Sequence, residues 1–377
     1  EFINANNQLK CAFVSTNSIS QVEQVAPLWN ILKQFGIEII YAHKTFKWSS
    51  DSANNAAVHC VIIGFAKKGL VQVKQLFNNG KLTFSPSISP YLVNSIDVIV
   101  ESSSTPLSNQ HKMVAPNKPC DYNHLKIEPD EYQDFKTNCP NALKWIKRMV
   151  GATEFINNKE RYCLWLVGIT PRELRAMPMV MECVEACRAA RIAANTSESL
   201  KLADTPTLFR EQINPDNYLI IPAVSSERRR YVPIGFLDKN TIPVMGTLII
   251  PNADLIDFAL LNSNVHMAWM RAVAGRLKSD YRYSKDVVYN TFPYPTISSK
   301  AKQKLESTAK GILNARALYP DSTLADLYDD LTMPVELRNA HRDNNKAVME
   351  TYGFSLKMNE DDCVAELMKL YEQLSKA

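Results

Sequence analysis

Two aromatic side chains lie close to the end of an apolar strand predicted early in the chain. Phe46 and Trp48 follow the predicted strand Ile37–Ala42 and precede a second apolar strand, Ala57–Phe65. An aromatic ring that projects from the end of a strand is often only a lid on the hydrophobic core. It can also stack on a planar ligand, such as a base that has been turned out of a DNA duplex. The residues alone leave both interpretations open.

Three consecutive arginines form a second candidate site, in the segment Ser225–Tyr231 (SSERRRY). The candidate residues are Glu227, Arg228, Arg229 and Arg230. Side chains alternate in direction along an extended chain, so at least one arginine must point away from any core. A guanidinium group can bind a phosphate, or the major-groove edge of guanine, through two hydrogen bonds. The segment is a candidate for DNA contacts, although an ordinary solvated charged loop has the same composition.

A third candidate, the segment Met270–Lys285, interleaves basic and tyrosine side chains. Its candidate residues are Arg271, Arg276, Lys278, Tyr281, Arg282, Tyr283 and Lys285. Nucleic-acid surfaces combine cations that bind phosphates with rings that stack on bases or contact sugars. The net charge of the whole chain is only +4, which identifies no partner. The local excess of basic residues is what favours double-stranded DNA.

Glycine is scarce, and its distribution excludes some functions. The chain has 11 glycines in 377 residues, none within three residues of another. It therefore contains neither the G-x-G-x-x-G turn nor the G-x-x-x-x-G-K-[ST] loop with which backbone amides approach a nucleotide. No metal-site spacing of histidines and cysteines, no signal peptide and no apolar stretch of membrane-helix length is found. Eight cysteines in this length do not indicate a disulfide scaffold, so we expect an intracellular protein.

The first third of the chain reads as part of an α/β sheet. The strand Cys11–Ser15 and the amphipathic helix Val22–Gln34 precede the two apolar strands described above. Strands that are apolar throughout are typical of a sheet covered on both faces. A connector rich in serine, proline and asparagine follows, with a strand predicted at Ser95–Val100. We predict an incomplete sheet edge here.

Two further regions differ in their predicted secondary structure. Residues 119–296 mix short strands with helices, for example a helix predicted at Ala142–Val150, and indicate an α+β fold. Residues 297–377 indicate an all-α region. Its three amphipathic helices are predicted at Lys300–Tyr319, Pro334–Tyr352 and Asp361–Lys376.

Several segments together resemble one enzyme family. Two segments near the start are similar to the later half of the catalytic domain of MmeI-like enzymes. They are 11–32 (CAFVSTNSISQVEQVAPLWNIL) and 42–65 (AHKTFKWSSDSANNAAVHCVIIGF). The family's target recognition domain is resembled by three further segments. They are 220–237 (IIPAVSSERRRYVPIGFL), 266–284 (HMAWMRAVAGRLKSDYRYS) and 289–295 (YNTFPYP). Segment 315–341 (ARALYPDSTLADLYDDLTMPVELRNAH) is similar to its C-terminal helical domain. These enzymes are combined restriction–modification proteins (Type IIL, within Type IIG) that methylate adenine at its exocyclic amino group.

The resemblance implies three domains. Residues 1–118 are expected to be the end of a methyltransferase domain, with the edge of a Rossmann-like sheet, and its connector. Residues 119–296 are the expected target recognition domain, and residues 297–377 the helical C-terminal domain. Phe46 is then expected to stack on the flipped adenine, with Trp48 as the fallback. The basic candidates above are expected to contact phosphates or, for the segment 227–230, base edges.

Two motifs of the family are absent from the sequence. No Asn-Pro-Pro occurs, and no glycine-containing loop for S-adenosylmethionine is present. The resemblance therefore implies the C-terminal portion of a DNA methyltransferase that transfers a methyl group from S-adenosylmethionine to adenine N6. We expect this chain alone to be inactive, to bind no S-adenosylmethionine, and mainly to supply sequence-specific DNA recognition. Its expected partners are duplex DNA and the missing N-terminal part of the same protein, in a bacterial or archaeal cytoplasm and with no membrane.

An alternative function is a non-catalytic DNA specificity subunit that docks on a separate methyltransferase chain. The predicted strands Cys11–Ser15 and Ala57–Phe65 argue against it. A pure specificity subunit has no use for part of a methyltransferase sheet.

Overall fold

The computed structural model describes residues 6–48 and 58–376, together with Ile3. The first sheet contains β1 (Lys10–Thr16), β2 (Ile37–Trp48), β3 (Val58–Lys67), β4 (Lys74–Asn78) and β5 (Lys81–Ser85). The strand order is β1-β3-β2-β4-β5. β3 runs antiparallel to β1 and to β2, whereas β4 runs parallel to β2. β1, β2 and β4 therefore end at the same side of the sheet, which we call the carboxyl edge.

β2 is longer than the sequence pattern indicates. The strand predicted over Ile37–Ala42 continues to Trp48, so Phe46 and Trp48 belong to the strand itself. This extension is held by pairing with β3, where Phe46 lies opposite Cys60. Residues 49–57, including the predicted start of the next strand at Ala57, lie outside the described residues.

The strand predicted at Ser95–Val100 is wrong. The strands that follow β3 are β4 and β5, and residues 95–100 have an irregular backbone although Val98 and Val100 are buried. The reason is local, because the backbone of Val100 bonds to a side chain rather than to a strand. Its N–H donates to the Tyr91 hydroxyl at 2.9 Å, and that hydroxyl donates to the Val100 carbonyl.

Helix α1 (Val25–Gln34) links β1 to β2 and buries Val25 and Trp29. The Trp29 indole N–H donates to the carbonyl of Ile19 at 2.9 Å, which satisfies the one polar atom of a buried ring. Gly36 ends the connection with a φ of +65°, a conformation that glycine adopts without strain.

The middle of the chain contains three small sheets. One consists of β6 (Lys126–Ile127), β7 (Ile146–Val150), β8 (Tyr162–Leu164) and β12 (Thr241–Pro243), another of β9 (Asn217–Pro222), β11 (Gly235–Asp238) and β13 (Thr247–Pro251). The third has the order β10-β15-β14, with β10 (Val224–Ser225), β14 (Gly275–Leu277) and β15 (Asp280–Arg282). The helix predicted at Ala142–Val150 is wrong, because this stretch is a 3₁₀ turn followed by β7.

Helices surround these sheets and make up the end of the chain. In the middle region they are α2 (Pro129–Asn138), α3 (Ala152–Asn157), α4 (Pro171–Arg175), α5 (Pro178–Ala194), α6 (Ser197–Ala203), α7 (Leu255–Leu261) and α8 (Asn264–Val273). The C-terminal region has α9 (Ser299–Ala317), the short α10 (Leu324–Leu327), α11 (Val335–Tyr352) and α12 (Glu360–Ser375). Of these, α9, α11 and α12 agree with the three predicted amphipathic helices. Within the described part of the chain, no helix is long and apolar enough to cross a membrane.

One hydrophobic core joins the first sheet, the sheet β10-β15-β14 and the C-terminal helices. It contains Trp29 of α1, Trp269 of α8 and Tyr371 of α12, and the last two rings lie 5.9 Å apart. A separate core lies under β6, β7 and β8, with Leu125 and Val180 fully buried. The first sheet is thus packed against the region that carries the basic candidates.

Gly275 marks the contact between the first sheet and β14. A Cβ atom at this position would lie 2.5 Å from Cγ2 of Val22, which is too close for any real contact. Val22 cannot easily move, because it already has a φ of +57°, a strained value for a β-branched residue. We expect Gly275→Ala to lower the free energy of unfolding by about 1–3 kcal/mol, measured by urea denaturation.

A matched control for this prediction lies in α9. Gly311 has open space around its Cα, so Gly311→Ala is expected to raise the free energy of unfolding by about 0.5–1 kcal/mol. Adding Val22→Ala to Gly275→Ala should recover part of the loss, since it removes the clashing methyl group. If Gly275→Ala is as stable as the parent, the two regions do not pack as described.

Candidate DNA-binding cleft

The carboxyl edge of the first sheet carries the predicted aromatic site. Thr16 of β1 and Phe46 of β2 both lie opposite Cys60 of β3, so the ends of the two strands are level. Phe46 is half-buried and lies edge-on to the His43 ring at 4.8 Å between centroids, while Trp48 is 49% exposed and 6.2 Å from Phe46. Ligands of open α/β sheets bind at the carboxyl ends of the strands. The two rings lie at this edge of the sheet, and their role in stacking on a ligand stays a prediction.

The two basic segments, separated in sequence, are neighbours in the fold. β10 pairs with β15 so that Ser225 lies opposite Tyr281, which puts the arginine loop (residues 226–230) beside the β14–β15 hairpin. The hairpin turns at Lys278, which is exposed and has a φ of +57°. We call the arginine loop and this hairpin together the basic corner.

Arg276 is the centre of the basic corner. Its guanidinium group stacks on the Tyr281 ring at 3.8 Å and donates a hydrogen bond of 2.7 Å to the carbonyl of Ser279. The carboxylate of Glu227 lies 3.6 Å away, so the loop and the hairpin share one ion pair. Stacking and the bond to the turn fix the plane of the guanidinium group, and an Arg plane that is fixed in advance loses less entropy when it binds a phosphate.

The remaining residues of the basic corner differ in exposure. Arg228 and Arg282 are exposed, and Arg230 is paired with Asp330 at 3.5 Å. Burial lowers the pKa of Arg229, which is half-buried near Asp280. The corner thus presents Arg228, Arg282 and Lys278 directly to solvent.

Three other predicted residues have their polar groups paired within the fold, although Arg271 and Tyr283 also line the cavities described below. Arg271 forms a bidentate pair with Glu360 of α12, at 2.7 and 2.9 Å, and Lys285 pairs with Asp286. Tyr283 is buried, with its hydroxyl 2.8 Å from Nε2 of His266, and burial raises the pKa of this tyrosine far above its usual value. These contacts are internal to the fold.

A cleft separates the carboxyl edge from the basic corner. A cavity of about 420 Å³ is lined by Asn17 and Gln21 after β1 and by Arg276 and Arg282 of the hairpin. A second cavity of about 220 Å³ shares Gln21 and Arg276 and extends to Lys44 and Asn78, at the ends of β2 and β4. Polar residues of the carboxyl edge and the basic corner are therefore two sides of one cleft, and neither Phe46 nor Trp48 lines these two cavities.

Sequence reasoning missed the polar residues of this cleft. Gln21, Lys44 and Asn78 lie on three separate segments and match no motif. The available signal was their position at or just after the end of a strand. It becomes informative only when the strands are known to end at the same edge.

Sequence models of known families match the chain in three consecutive stretches. The model described as "MmeI, target recognition domain" matches residues 94–296, which is more than half of the chain. The chain belongs to the MmeI family. In this MmeI-family chain, residues 1–78 match the MmeI DNA-methyltransferase domain and residues 297–377 the MmeI C-terminal domain.

Two relatives align with nearly all of this MmeI-family chain. DNA methyltransferase A of Bacillus subtilis (strain 168) is 38% identical over 368 residues, which is 97% of the chain and 42% of the relative. The solved structure of the Type IIL restriction-modification enzyme MmeI in complex with DNA is 42% identical, with a TM-score of 0.89. It covers 100% of the chain, which in turn covers 51% of MmeI. The fold is thus that of MmeI, with mixed α/β sheets and a helical end, and the chain spans about half the length of these relatives or less.

The glycines of the first sheet do not fit an S-adenosylmethionine site. Gly36 ends a helix at the opposite side of the sheet, and Gly64 lies mid-strand with its Cα against Tyr41. Among the described residues, neither offers a close backbone approach at the carboxyl edge. Gly80, in the turn after β4, does lie at this edge, but it is a single glycine with no other within three residues. None of the three glycines therefore belongs to a glycine-rich loop of the kind that approaches a nucleotide.

Proposed function

We propose that this chain is the C-terminal, DNA-recognising part of a restriction–modification DNA methyltransferase. The whole protein would transfer a methyl group from S-adenosylmethionine to adenine N6 at a specific duplex site, in the cytoplasm of a bacterium or archaeon. The observation that carries the proposal is the cleft, in which a basic corner faces the carboxyl edge of a sheet. The target recognition match and the DNA complex of MmeI support it.

Each side of the cleft has its own task in this proposal. Arg276, Lys278 and Arg282 bind phosphates and set the position of the duplex, which involves no sequence information. The loop from Glu227 to Arg230 contacts base edges or the backbone. Phe46 stacks on the flipped adenine and offsets part of the few kcal/mol that unstacking costs. No side chain of the cleft is needed as a general base.

The open edge of the first sheet supports a larger methyltransferase domain. Among the strands that the structure describes, β1 is the last on its side, and its Phe13 and Val14 are 64% and 54% exposed. Ile31 and Phe35 of the neighbouring helix α1 are also exposed. An edge strand and an apolar patch of this kind are normally covered. We propose that the N-terminal part of the same protein covers them, continues the Rossmann-like sheet and binds S-adenosylmethionine.

The specificity-subunit alternative gains no support from the relatives. In both of them the matched region is part of a longer single chain.

Binding measurements on the chain of residues 1–377 test the proposed function. Fluorescence anisotropy is expected to show binding to duplex DNA that weakens as salt rises, because phosphate contacts release counterions. Calorimetric titration with S-adenosylmethionine is expected to show no binding. Micromolar affinity for S-adenosylmethionine, or no affinity for duplex DNA at low salt, would contradict the proposal.

A further inference from the structure

We propose that Asn345, His341 and Arg316 of the C-terminal helices are positioning residues for the arginine loop (residues 226–230). Together they fix the backbone where the loop ends, at residues 231–234. The proposal rests on the proposed function of this loop in DNA recognition. It assigns to the helical C-terminal region a role in sequence reading that needs no DNA contact of its own.

Tyr231, directly after the loop, is held by helix α11. Its ring stacks on the His341 imidazole at 4.0 Å between centroids, with the planes 16° apart. Its hydroxyl accepts a hydrogen bond of 2.7 Å from the Asn345 amide. Tyr231 is 4% exposed, so both contacts are shielded from water.

His341 is itself held in place. The Tyr328 hydroxyl lies 2.8 Å from its Nε2, and its Nδ1 lies 3.3 Å from the carbonyl of Asn262. Burial lowers the pKa of His341 to about 3, so the ring is neutral at pH 7 and stacks without a charge.

Arg316 of α9 extends the same network to Ile234. Its Nε donates to the Tyr328 hydroxyl at 2.9 Å, and its Nη1 donates to the Ile234 carbonyl at 2.7 Å. The segment from Tyr231 to Ile234 is therefore fixed at both ends by C-terminal side chains. A continuous set of bonds leads from the Ile234 carbonyl through Arg316 and Tyr328 to the His341–Tyr231 stack.

The start of the loop has a separate anchor. Ser225, directly before the loop, pairs with Tyr281 of β15. The arginine loop therefore connects the sheet β10-β15-β14 to the segment that the C-terminal helices hold. Within the described chain, we find one contact between the C-terminal region and the arginines of the loop, the Arg230–Asp330 ion pair. This pair is half-exposed and therefore adds little stability. Glu227 near the start of the loop also contacts the hairpin, through Arg276 and Asp280. The position of the later part of the loop thus depends on the residues that follow it. A displacement of about 1 Å at a binding group is enough to lose directional hydrogen bonds.

Limited trypsin digestion reports directly on this anchoring, because the loop contains three arginines. Tyr231→Phe removes only the hydroxyl and keeps the stacked ring. Cleavage at Arg228–Arg230, followed by mass spectrometry, is expected to be about fivefold faster, the effect of one lost hydrogen bond on local opening. Cleavage of the Asn345→Ala variant should be faster to a similar extent. Asn339→Ala, an exposed asparagine on the same helix, is the matched control and should leave the rate unchanged.

DNA discrimination distinguishes positioning from plain structural support. The duplex most enriched by the parent chain from a random library is compared with a scrambled duplex of equal length. Tyr231→Phe and Asn345→Ala are each expected to reduce the ratio of the two affinities about fivefold. The affinity of both variants for the scrambled duplex should be unchanged. The melting temperature of Tyr231→Phe should also be unchanged.

Two results would overturn the positioning role: unchanged cleavage and discrimination in both variants, or equal losses of affinity for both duplexes. A parent chain that discriminates between no duplexes overturns the proposed function instead. The cleavage rates then still decide whether these helices hold the loop.

Discussion

Replacing Phe46 by alanine in the full-length protein is expected to slow DNA methylation by roughly 5- to 150-fold, the range that corresponds to losing one base–aromatic stack. Phe46 lies at the carboxyl edge, level with the end of β1. Stacking acts on the flipped base, which is a small part of the interface. Duplex affinity should therefore fall by much less than the methylation rate, as measured by methyl incorporation and by anisotropy.

Two variants control this prediction. Phe46→Tyr keeps a ring of the same size and should retain most of the activity. Phe84→Ala removes a 61% exposed phenylalanine from β5 of the same sheet, away from the carboxyl edge, and should leave methylation unchanged. Equal losses of rate and affinity for Phe46→Ala would contradict the stacking role. A large loss for Trp48→Ala in place of Phe46→Ala would assign stacking to Trp48.

Arg276→Ala is expected to weaken binding to every duplex by roughly tenfold, the effect of one hydrogen bond between charged groups. The variant loses the cation and leaves the buried Tyr281 ring without its guanidinium partner. Because a phosphate contact carries no sequence information, the preferred sequence should not change. The slope of log affinity against log salt should fall by about 1.

Matched variants separate charge from geometry at this position. Arg276→Lys keeps the charge but cannot stack as a planar group, so it should restore the salt slope and only part of the affinity. Lys310→Ala removes an exposed cation from α9, far from the cleft, and should have no effect. If Arg276→Ala binds DNA as well as the parent, the basic corner is an ordinary solvated surface.

The sequence predicted the C-terminal helices and the strand–helix–strand start of the chain, since both have strong periodic patterns. It failed where tertiary pairing overrides local preference. Ala142–Val150 reads as a helix, but its second half pairs with β8 and β12 as a strand. The extension of β2 to Trp48 likewise depends on β3, because its polar residues give no strand signal of their own.

The candidate site was predicted as separate segments, and its assembly was not. Glu227 and Arg276 are 49 positions apart, and only the pairing of β10 with β15 brings them together. Nothing in the sequence indicated that Tyr283 would be buried against His266 while Tyr281, two positions earlier, supports an arginine.

Comparing two sequence motifs tests the central claim most directly. The chain of residues 1–377 is incubated with a random duplex library and the bound fraction is sequenced, while the sites methylated by the full-length protein are mapped on genomic DNA. We predict that the motif enriched by the chain is the motif that the full-length protein methylates. Enrichment of no motif, or of a different one, would contradict the claim that this chain supplies the enzyme's sequence recognition.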